Sequence, residues 1–483
     1  MVDVLKDYEV PEGMLDEVIR DSESGGLIYK KFFDLIGQMD ISEFKSLSDL
    51  AKLSFLNQGV TYALYNKNES VEQIFPFDLI PRIINGDEWN KIEKGMIQRN
   101  HALNLFLHDV YNEGKILKDK VVPDYLIKSS VHYCKEMQGF TPPKGIYCHI
   151  AGSDLIRHSD GEFYVLEDNL RSPSGVSYVL TNRIAMRKVL PEAFKNIPVE
   201  FVSDYTDSLL KSMWSVSGRK LGDIFCVLMT PGSFNSAYFE HTYLAQKMGI
   251  ELVEGRDLVV EDGFVYLKAI GGRIRVDVIY RRIDDAYIDP DVFNPESMLG
   301  VRGLMEVYLK GNVTIVNAPG TGISDDKAVC AYVPDMIKYY LDEEPIIDNV
   351  PTYICQKPED LQYVRDNISS LVVKPVDMSG GYGVCICDQM TKAEQQDLLK
   401  KVEANPRNFI AQPKMLLSLH STFIEESDQF EPRHVDLRTF TILGDDEPYV
   451  LKGGLTRTAL IKNSLIVNSS QGGGSKDTWV IKN

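Results

Sequence analysis

No run of 18 or more apolar residues occurs in the chain, which leaves no candidate for a membrane-spanning helix. Basic charge is also in short supply. The 52 lysines and arginines stand against 70 aspartates and glutamates, giving a net charge of -18. That balance argues against non-specific nucleic-acid binding, which needs a basic face. It leaves room for a nucleotide, whose site needs only a few local cations. The seven cysteines form no CxxC pair and no metal-ligand spacing. Their odd number, and an acidic opening stretch without the apolar core of a signal peptide, lead us to expect a reduced, cytoplasmic setting. No Ser-His-Asp or Cys-His arrangement can be assembled. No Gly-Lys-Ser/Thr ending opens a helix, so a Walker loop is absent too.

What the chain does have is centred on residues 372–384, VVKPVDMSGGYGV. An apolar run carries Lys374 near its end. The loop Ser379-Gly380-Gly381-Tyr382-Gly383 follows, and then a second apolar run, VCIC. Two strand-like runs around glycines read as a hairpin flap. Glycine turns backbone N–H groups toward an anion at little steric cost. A dinucleotide fingerprint would run into a helix, whereas this loop runs into a strand. The plain alternative is an ordinary glycine hairpin with a lysine reaching to solvent. Cys385 and Cys387 alternate with apolar neighbours on the second run, which reads as core packing.

At 483 residues there is room for two to four domains. Residues 1–75 read as helical and amphipathic, with apolar positions at helical spacing in FKSLSDLAKLSFLNQGV. Residues 87–111 form the clearest long helix, with Asp87 as its expected N-cap and Glu88 in the first turn. His101 and His108 on it read as filler.

Residues 146–169, IYCHIAGSDLIRHSDGEFYVLEDN, carry Asp160-Gly161 between alternating runs, a two-residue hairpin signal. Pairing outward sets Arg157 opposite Tyr164 and Asp154 opposite Glu167, with Asn169 on the same face. Opposed carboxylates repel at this range. A divalent cation between them reverses the penalty, and two carboxylates with an amide oxygen suit Mg²⁺. The alternative is a solvated face on an edge hairpin. Arg171-Ser172-Pro173-Ser174-Gly175 follows as a polar loop.

Residues 222–317 alternate strands and helices, including a helix ended by Gly249 and a second Asp-Gly hairpin at Asp262-Gly263. Arg281 and Arg282 end one strand. Strand ends face ligand crevices in open α/β sheets, so these arginines are candidates for a substrate carboxylate. Ion pairs with Asp284 or Asp285 are the alternative. Ser324-Asp325-Asp326 caps the next helix, placing Lys327 in a first turn where the helix dipole disfavours it. An anionic partner would account for that. Arg438 in HVDLRTFTIL is a forked cation on a strand, fit for phosphate or for a cross-strand ion pair. Arg457 lies in GGLTRTAL. The stretch IVNSSQGGGSKDTWV carries Asn468, Gln471 and Gly472.

Together these segments resemble the ATP-grasp superfamily. Lys374-Pro375 and SGGYG look like its phosphate lysine and flap, Lys327 like its other nucleotide lysine, and residues 409–412 like its adenine hinge. The pattern Asp154, Glu167 and Asn169 looks like its metal triad. That triad precedes the lysines here, so the chain resembles the circularly permuted members allied to glutathionylspermidine synthetase and eukaryotic glutathione synthetase. The hinge reads Ala411-Gln412-Pro413 and lacks the acidic ribose-binding residue of many members.

The resemblance implies a mixed α+β, α/β fold: a circularly permuted ATP-grasp with a Rossmann-like pre-ATP-grasp domain. It divides the chain into a helical segment 1–75, a permuted half 76–215, a substrate domain 216–325 and ATP-binding lobes 326–483. It implies an ATP-dependent, Mg²⁺-assisted ligase that joins a small-molecule or peptide carboxylate to an amine. Lys374, Arg438 and Arg457 would be its catalytic cations. Lys327, Lys374, Arg438, Ser379, Gly380, Gly381, Tyr382, Gly383, Ala411, Gln412 and Asn468 would hold the nucleotide. Arg171, Ser172, Arg281, Arg282, Gln471 and Gly472 are the substrate candidates. A non-catalytic nucleotide- or peptide-binding component and an ATP-grasp phosphotransferase are the other readings. No nucleic-acid or membrane partner is expected, and the residues set no oligomeric state.

Overall fold

The dipeptide Asp-Gly builds two different turns, and the difference bears on the site. The computed structural model describes all residues except 1–7, 24–27, 67–68, 379, 445–446, 468–472 and 483. In it, Asp262 and Gly263 both take left-handed backbone, with φ of 51° and 78°. Glu261 pairs directly with Phe264. This is the expected two-residue turn. At Asp160-Gly161 the loop is longer. His158 N–H bonds to Glu162 O, and Gly161 N–H bonds back to His158 O. Ser159, Asp160 and Gly161 thus form a three-residue loop, and Arg157 pairs with Phe163 rather than with Tyr164. A bulge next to Asp154 then adds one residue to the facing strand, and Asp154 meets Glu167 after all.

This hairpin, Ile150–Arg157 and Phe163–Asn169, is one edge of the largest sheet. Inward from it come Gln429–Ile442, Leu455–Thr458, Gly474–Val480 and Phe77–Ile84. Leu419–Ile424 and Tyr449–Val450 also pair with the long strand Gln429–Ile442. Only the pairing of Gly474–Val480 with Phe77–Ile84 is parallel among these. Strands from both ends of the chain therefore share one sheet.

The helix Gly86–Tyr111 lies under the hairpin. Its N-cap is Asn85, whose side chain accepts from Glu88 N at 2.8 Å, so Asp87 sits inside the first turn instead of capping it. His101 and His108 are exposed on its outer face.

Within the first 75 residues the helices are Glu17–Glu23, Ile28–Ile36 and Ile41–Gln58. The last begins with a capping box between Asp40 and Glu43 and stops at Gly59, which is left-handed with φ of 66°. The chain then turns into a hairpin, Thr61–Asn66 with Glu69–Ile74, where the sequence reading expects helix. The aromatic and β-branched residues of TYALYN and ESVEQI favour strand once Gly59 has ended the helix.

Glu17 docks this segment on the sheet. Arg82 Nε and Nη2 donate to its carboxylate at 2.9 and 2.5 Å, and Ser418 Oγ donates at 2.6 Å. Arg82 Nη1 also bonds to the Asp436 carbonyl at 3.0 Å. Burial pushes the Glu17 carboxyl up, but Arg82 and Arg157 outweigh it and hold it down at about 2. Replacing Glu17 by alanine leaves a buried guanidinium without its partner. Urea unfolding of Glu17→Ala is expected to show a loss of about 3–5 kcal/mol. A loss below about 1 kcal/mol would mean that the pair does not hold the segment.

A second unit is a four-stranded parallel sheet in the order Glu251–Val253, Cys226–Met229, Val278–Arg281, Thr314–Val316. The helix Tyr238–Met248 makes its first crossover and ends at left-handed Gly249. Asn317 joins this unit to the large sheet. Its side chain accepts from His149 N and Ile150 N and donates to the Ile150 and Leu170 carbonyls.

The flap unit is a third sheet, ordered Tyr353–Ile354, Phe409–Pro413, Leu371–Pro375, Cys385–Ile386. The helices Pro358–Asn367 and Lys392–Ala404 contribute Val364, Leu398 and Val402 to its core, and Cys387 packs there as expected. Cys385 is partly exposed, and all seven cysteines are free. Among the described residues no helix is long and apolar enough to cross a membrane.

Candidate functional site

The large sheet gathers charge from strands far apart in sequence. Arg438 lies directly opposite Asp154, and Arg457 directly opposite Asp436. Arg438 clamps Asp154 with Nε at 2.6 Å and Nη2 at 2.8 Å. Arg457 bridges the two acids, with Nη2 at 2.9 Å from Asp154 and Nε at 2.9 Å from Asp436. All four side chains are largely buried. Burial raises the Asp154 pKa, but the two guanidiniums prevail and hold it well below the usual carboxylate range. For Asp436 burial prevails, and its carboxyl is pushed up against the pull of Arg457.

The lysines reach the same place from the other side. Lys374, on the strand before the flap, donates to Gln412 Oε1 at 2.7 Å. Burial lowers its pKa to about 8, nearby Lys327 pushes the same way, and Glu167 opposes both. Lys327 opens the short helix Lys327–Cys330, N-capped by Asp326. Its Nζ lies 3.4 Å from Glu167 and also donates to the Met378 carbonyl in the flap.

Two cavities meet at this cluster. The smaller, about 120 Å³, lies between the flap sheet and the hairpin. Its apolar walls include Ile156, Leu166, Val372, Ile386, Met415 and Leu417, and one end is polar, with Lys374, Gln412 and the charged cluster of Asp154, Glu167, Lys327, Asp436 and Arg457. That is a slot for a flat, mostly apolar group with a charged tail. The bulge in the hairpin lets consecutive residues Leu166 and Glu167 both reach it. The larger cavity, about 620 Å³, lies between the polar loop 171–175, the parallel-sheet unit and the flap. Glu167, Lys327, Met378, Tyr382 and Arg457 line both.

The remaining candidates divide. Arg171, Ser172 and Arg282 line the larger cavity. Arg171 pairs with Asp284 at 3.1 Å, and the buried Ser172 Oγ has no hydrogen-bond partner among the described residues. Arg282 is buried against Glu240 at 2.9 Å and the Pro173 carbonyl at 2.6 Å. Arg281 lies outside both cavities. It donates to the carbonyls of Asn317, Ile283 and Ala318 and pairs with Asp285, so its donors are committed to the fold. Ala411 is buried in the core of the flap sheet. Gly380, Gly381 and Gly383 are left-handed, with φ of 70°, 77° and 73°. Ser379, Asn468, Gln471 and Gly472 lie outside the described residues.

Sequence reasoning missed Asp325 as a cavity residue. Its Oδ1 accepts from Leu170 N and Arg171 N at 2.6 and 3.2 Å. Burial pushes its pKa up to about 7, against Arg171. It also missed the apolar walls at Leu166, Met415 and Leu417. These look like ordinary strand residues until the bulge and the neighbouring sheet place them.

The metal candidates fit an oxygen-liganded cation in part. Glu167 faces both cavities. Asn169 donates Nδ2 to the Gly152 carbonyl at 3.3 Å, which leaves Oδ1 as its remaining acceptor. Asp154 is already engaged by the two arginines, with Oδ1 accepting from Arg438 and Oδ2 from both. Among the described residues no three His, Cys, Asp or Glu side chains cluster as a metal site.

The family model described as circularly permuted ATP-grasp type 2 matches residues 81–459. The chain belongs to that family. The ATP-grasp order is permuted as the motifs imply, with the Asp154–Glu167 hairpin ahead of Lys327, Lys374 and the flap. An uncharacterized protein of Synechocystis sp. is 50% identical to this ATP-grasp chain over 93% of each. A protein of Frankia casuarinae, named provisionally as a glutamate–cysteine ligase, is 42% identical over 85% of this chain and 47% of its own length. Among solved structures, a glutathione synthetase-like effector of Globodera pallida in its apo form shares the fold. Its TM-score is 0.60 at 12% identity, covering 92% of this chain and 98% of the effector.

Proposed function

We propose that this protein is an ATP-dependent carboxylate–amine ligase that works through an acylphosphate. One observation carries the reading. The slot that holds Lys374 adjoins a larger polar cavity, and Glu167, Lys327 and Arg457 line both. A phosphoryl donor and its acceptor need such a shared boundary, since phosphoryl transfer rests mainly on positioning and charge.

In this reading the apolar slot takes the adenine. Lys374 and Lys327 hold the phosphates. Arg438 and Arg457, fixed by Asp154 and Asp436, meet the transferred group with preorganised donors. Glu167 and Asn169 would hold Mg²⁺, whose charge would offset that of the phosphates. The glycine flap covers the junction and keeps water from the acylphosphate. The match spans under half of the Frankia protein, so the substrates in its name are not carried over.

The test is ADP release with Mg·ATP and pooled amino acids, short peptides and amines, with products read by mass spectrometry. ADP together with a new amide supports the ligase. A phosphorylated product without an amide would identify a phosphotransferase. ATP binding without turnover would favour a binding component.

The lowered Lys374 pKa gives a pH prediction. Bound polyphosphate favours the ammonium and raises its pKa from the free protein's value of about 8. Affinity for Mg·ATP is therefore full below about pH 8. It falls as pH rises through and beyond that point, by up to about tenfold per pH unit. Calorimetry across this range checks it. A flat profile would remove Lys374 from phosphate contact.

A further inference from the structure

Two carboxylates stand side by side where the turn Thr321–Asp325 meets the short helix Lys327–Cys330, and they are used differently. Asp326 is spent on structure. Its Oδ1 caps the helix through Ala328 N at 2.8 Å, and its Oδ2 accepts from Arg407 at 2.7 Å. Asp325 lines the larger cavity. Its Oδ1 takes the backbone N–H groups of Leu170 and Arg171, which fixes the carboxyl in place. Oδ2 is left with one long contact, 3.7 Å to Arg171 Nε.

These attachments set Asp325 beside the boundary that the two cavities share. Leu170 directly follows Asn169, and Lys327 is two residues past Asp325. Other acceptors along the larger cavity are less suited to take a proton. Asp284 is half exposed and paired with Arg171 at 3.1 Å. Asp377 is exposed on the flap. His241 shares a hydrogen bond with Thr230 Oγ1, and burial and Arg282 push its pKa down to about 2, too low to keep a proton.

An amine arrives in water as an ammonium, and only its neutral form has the electron pair to attack an acylphosphate. We infer that Asp325 is the catalytic base of the second half-reaction, taking a proton from the incoming ammonium at Oδ2. This rests on the ligase reading and assigns a residue to its second step. The freed nitrogen bonds to the acyl carbon. The bond from that carbon to the phosphate oxygen breaks, and phosphate leaves with the electron pair. The nitrogen sheds two protons in all. One passes through Asp325 to solvent, and the other leaves on phosphate.

The surroundings suit Asp325 to both protonation states. Burial pushes its pKa up, and Glu167 on the hairpin pushes the same way. Arg171 and the two backbone N–H groups pull it down, and the balance lies at about 7. Lys327 on the next helix, Asp284 on the parallel unit, His132 upstream of the hairpin and the buried Cys148 thiol also stand around it.

Hydroxylamine separates the two half-reactions. It is neutral near pH 7 and attacks an acylphosphate without a base, giving a hydroxamate. Asp325→Asn keeps an acceptor for both backbone N–H groups and removes the charge. With saturating Mg·ATP and pooled amino acids and short peptides, the variant is expected to form hydroxamate within about threefold of the parent rate. With pooled amines in place of hydroxylamine, its amide formation is expected to drop about a hundredfold or more. In the parent, amide formation is expected to fall about tenfold from pH 8 to pH 6, and hydroxamate formation only about twofold. His132→Gln is expected to leave both products unchanged.

Equal loss of both products in Asp325→Asn would overturn the inference, since Asp325 would then serve the first step or the fold. Unchanged amide formation would overturn it too, as would matching pH profiles for the parent's two products or a selective amide loss in His132→Gln alone. Each of these leaves the ligase standing, because the parent still releases ADP. A parent that yields neither ADP nor hydroxamate would sink the ligase reading and the base with it.

Discussion

A Lys374→Met variant is expected to bind Mg·ATP at least about a hundredfold more weakly than the parent chain, with its fold intact. Lys374 is a cation at the wall of the smaller cavity, held in place by Gln412 at 2.7 Å. Its ammonium is already costly to bury, as the drop of its pKa to about 8 shows. Methionine has nearly the same length and removes that cost, so the empty protein should be no less stable. The loss appears only with nucleotide, where a buried charge-assisted contact of several kcal/mol disappears. Calorimetric titration of both proteins decides it. Equal affinities would put the nucleotide somewhere other than under the flap.

Glu167→Gln is expected to reduce ADP release by about a thousandfold while leaving ATP affinity within about threefold. Glu167 lines both cavities, faces Asp154 across the hairpin and lies 3.4 Å from Lys327. The amide keeps shape and volume and removes only the charge, so a changed thermal midpoint is not expected. Steady-state kinetics with varied Mg²⁺ provides a second readout. If Glu167 holds the cation, the variant needs more of it. Unimpaired turnover would dismiss the assignment.

The sequence placed Asp154 opposite Glu167 through a two-residue turn at Asp160-Gly161. The molecule reaches the same pairing by another route. A three-residue loop shifts the register by one, and the bulge beside Asp154 shifts it back. Local turn chemistry therefore predicts Asp262-Gly263 fully and this hairpin only in its outcome. The glycine flap and the lysine on the strand before it were legible because hairpin and loop are local features. The clamp of Arg438 on Asp154 was not, since the partners are 284 residues apart and a strand register decides the contact. Arg281 shows the converse. A strand-end arginine looks like a ligand group in sequence, yet backbone carbonyls just beyond its own strand and one neighbouring strand take up its donors. Asn85 won the helix cap from Asp87 because the first helical residue is Gly86, one position earlier than the acidic pair suggests.

The parallel pairing of Phe77–Ile84 with Gly474–Val480 bears on how the protein is made. Synthesis runs from the N-terminus, and the earlier strand emerges long before its neighbour in the sheet exists. Until residue 480 has been translated, Phe77–Ile84 presents an unpaired edge to the cell, and such edges invite pairing with other chains. The helices of the first 75 residues are available sooner, and Glu17 already binds Arg82 on that strand. A ribosome that stops short of the last strand releases a chain whose sheet lacks the strand between Phe77–Ile84 and Leu455–Thr458, the strand that carries Arg457.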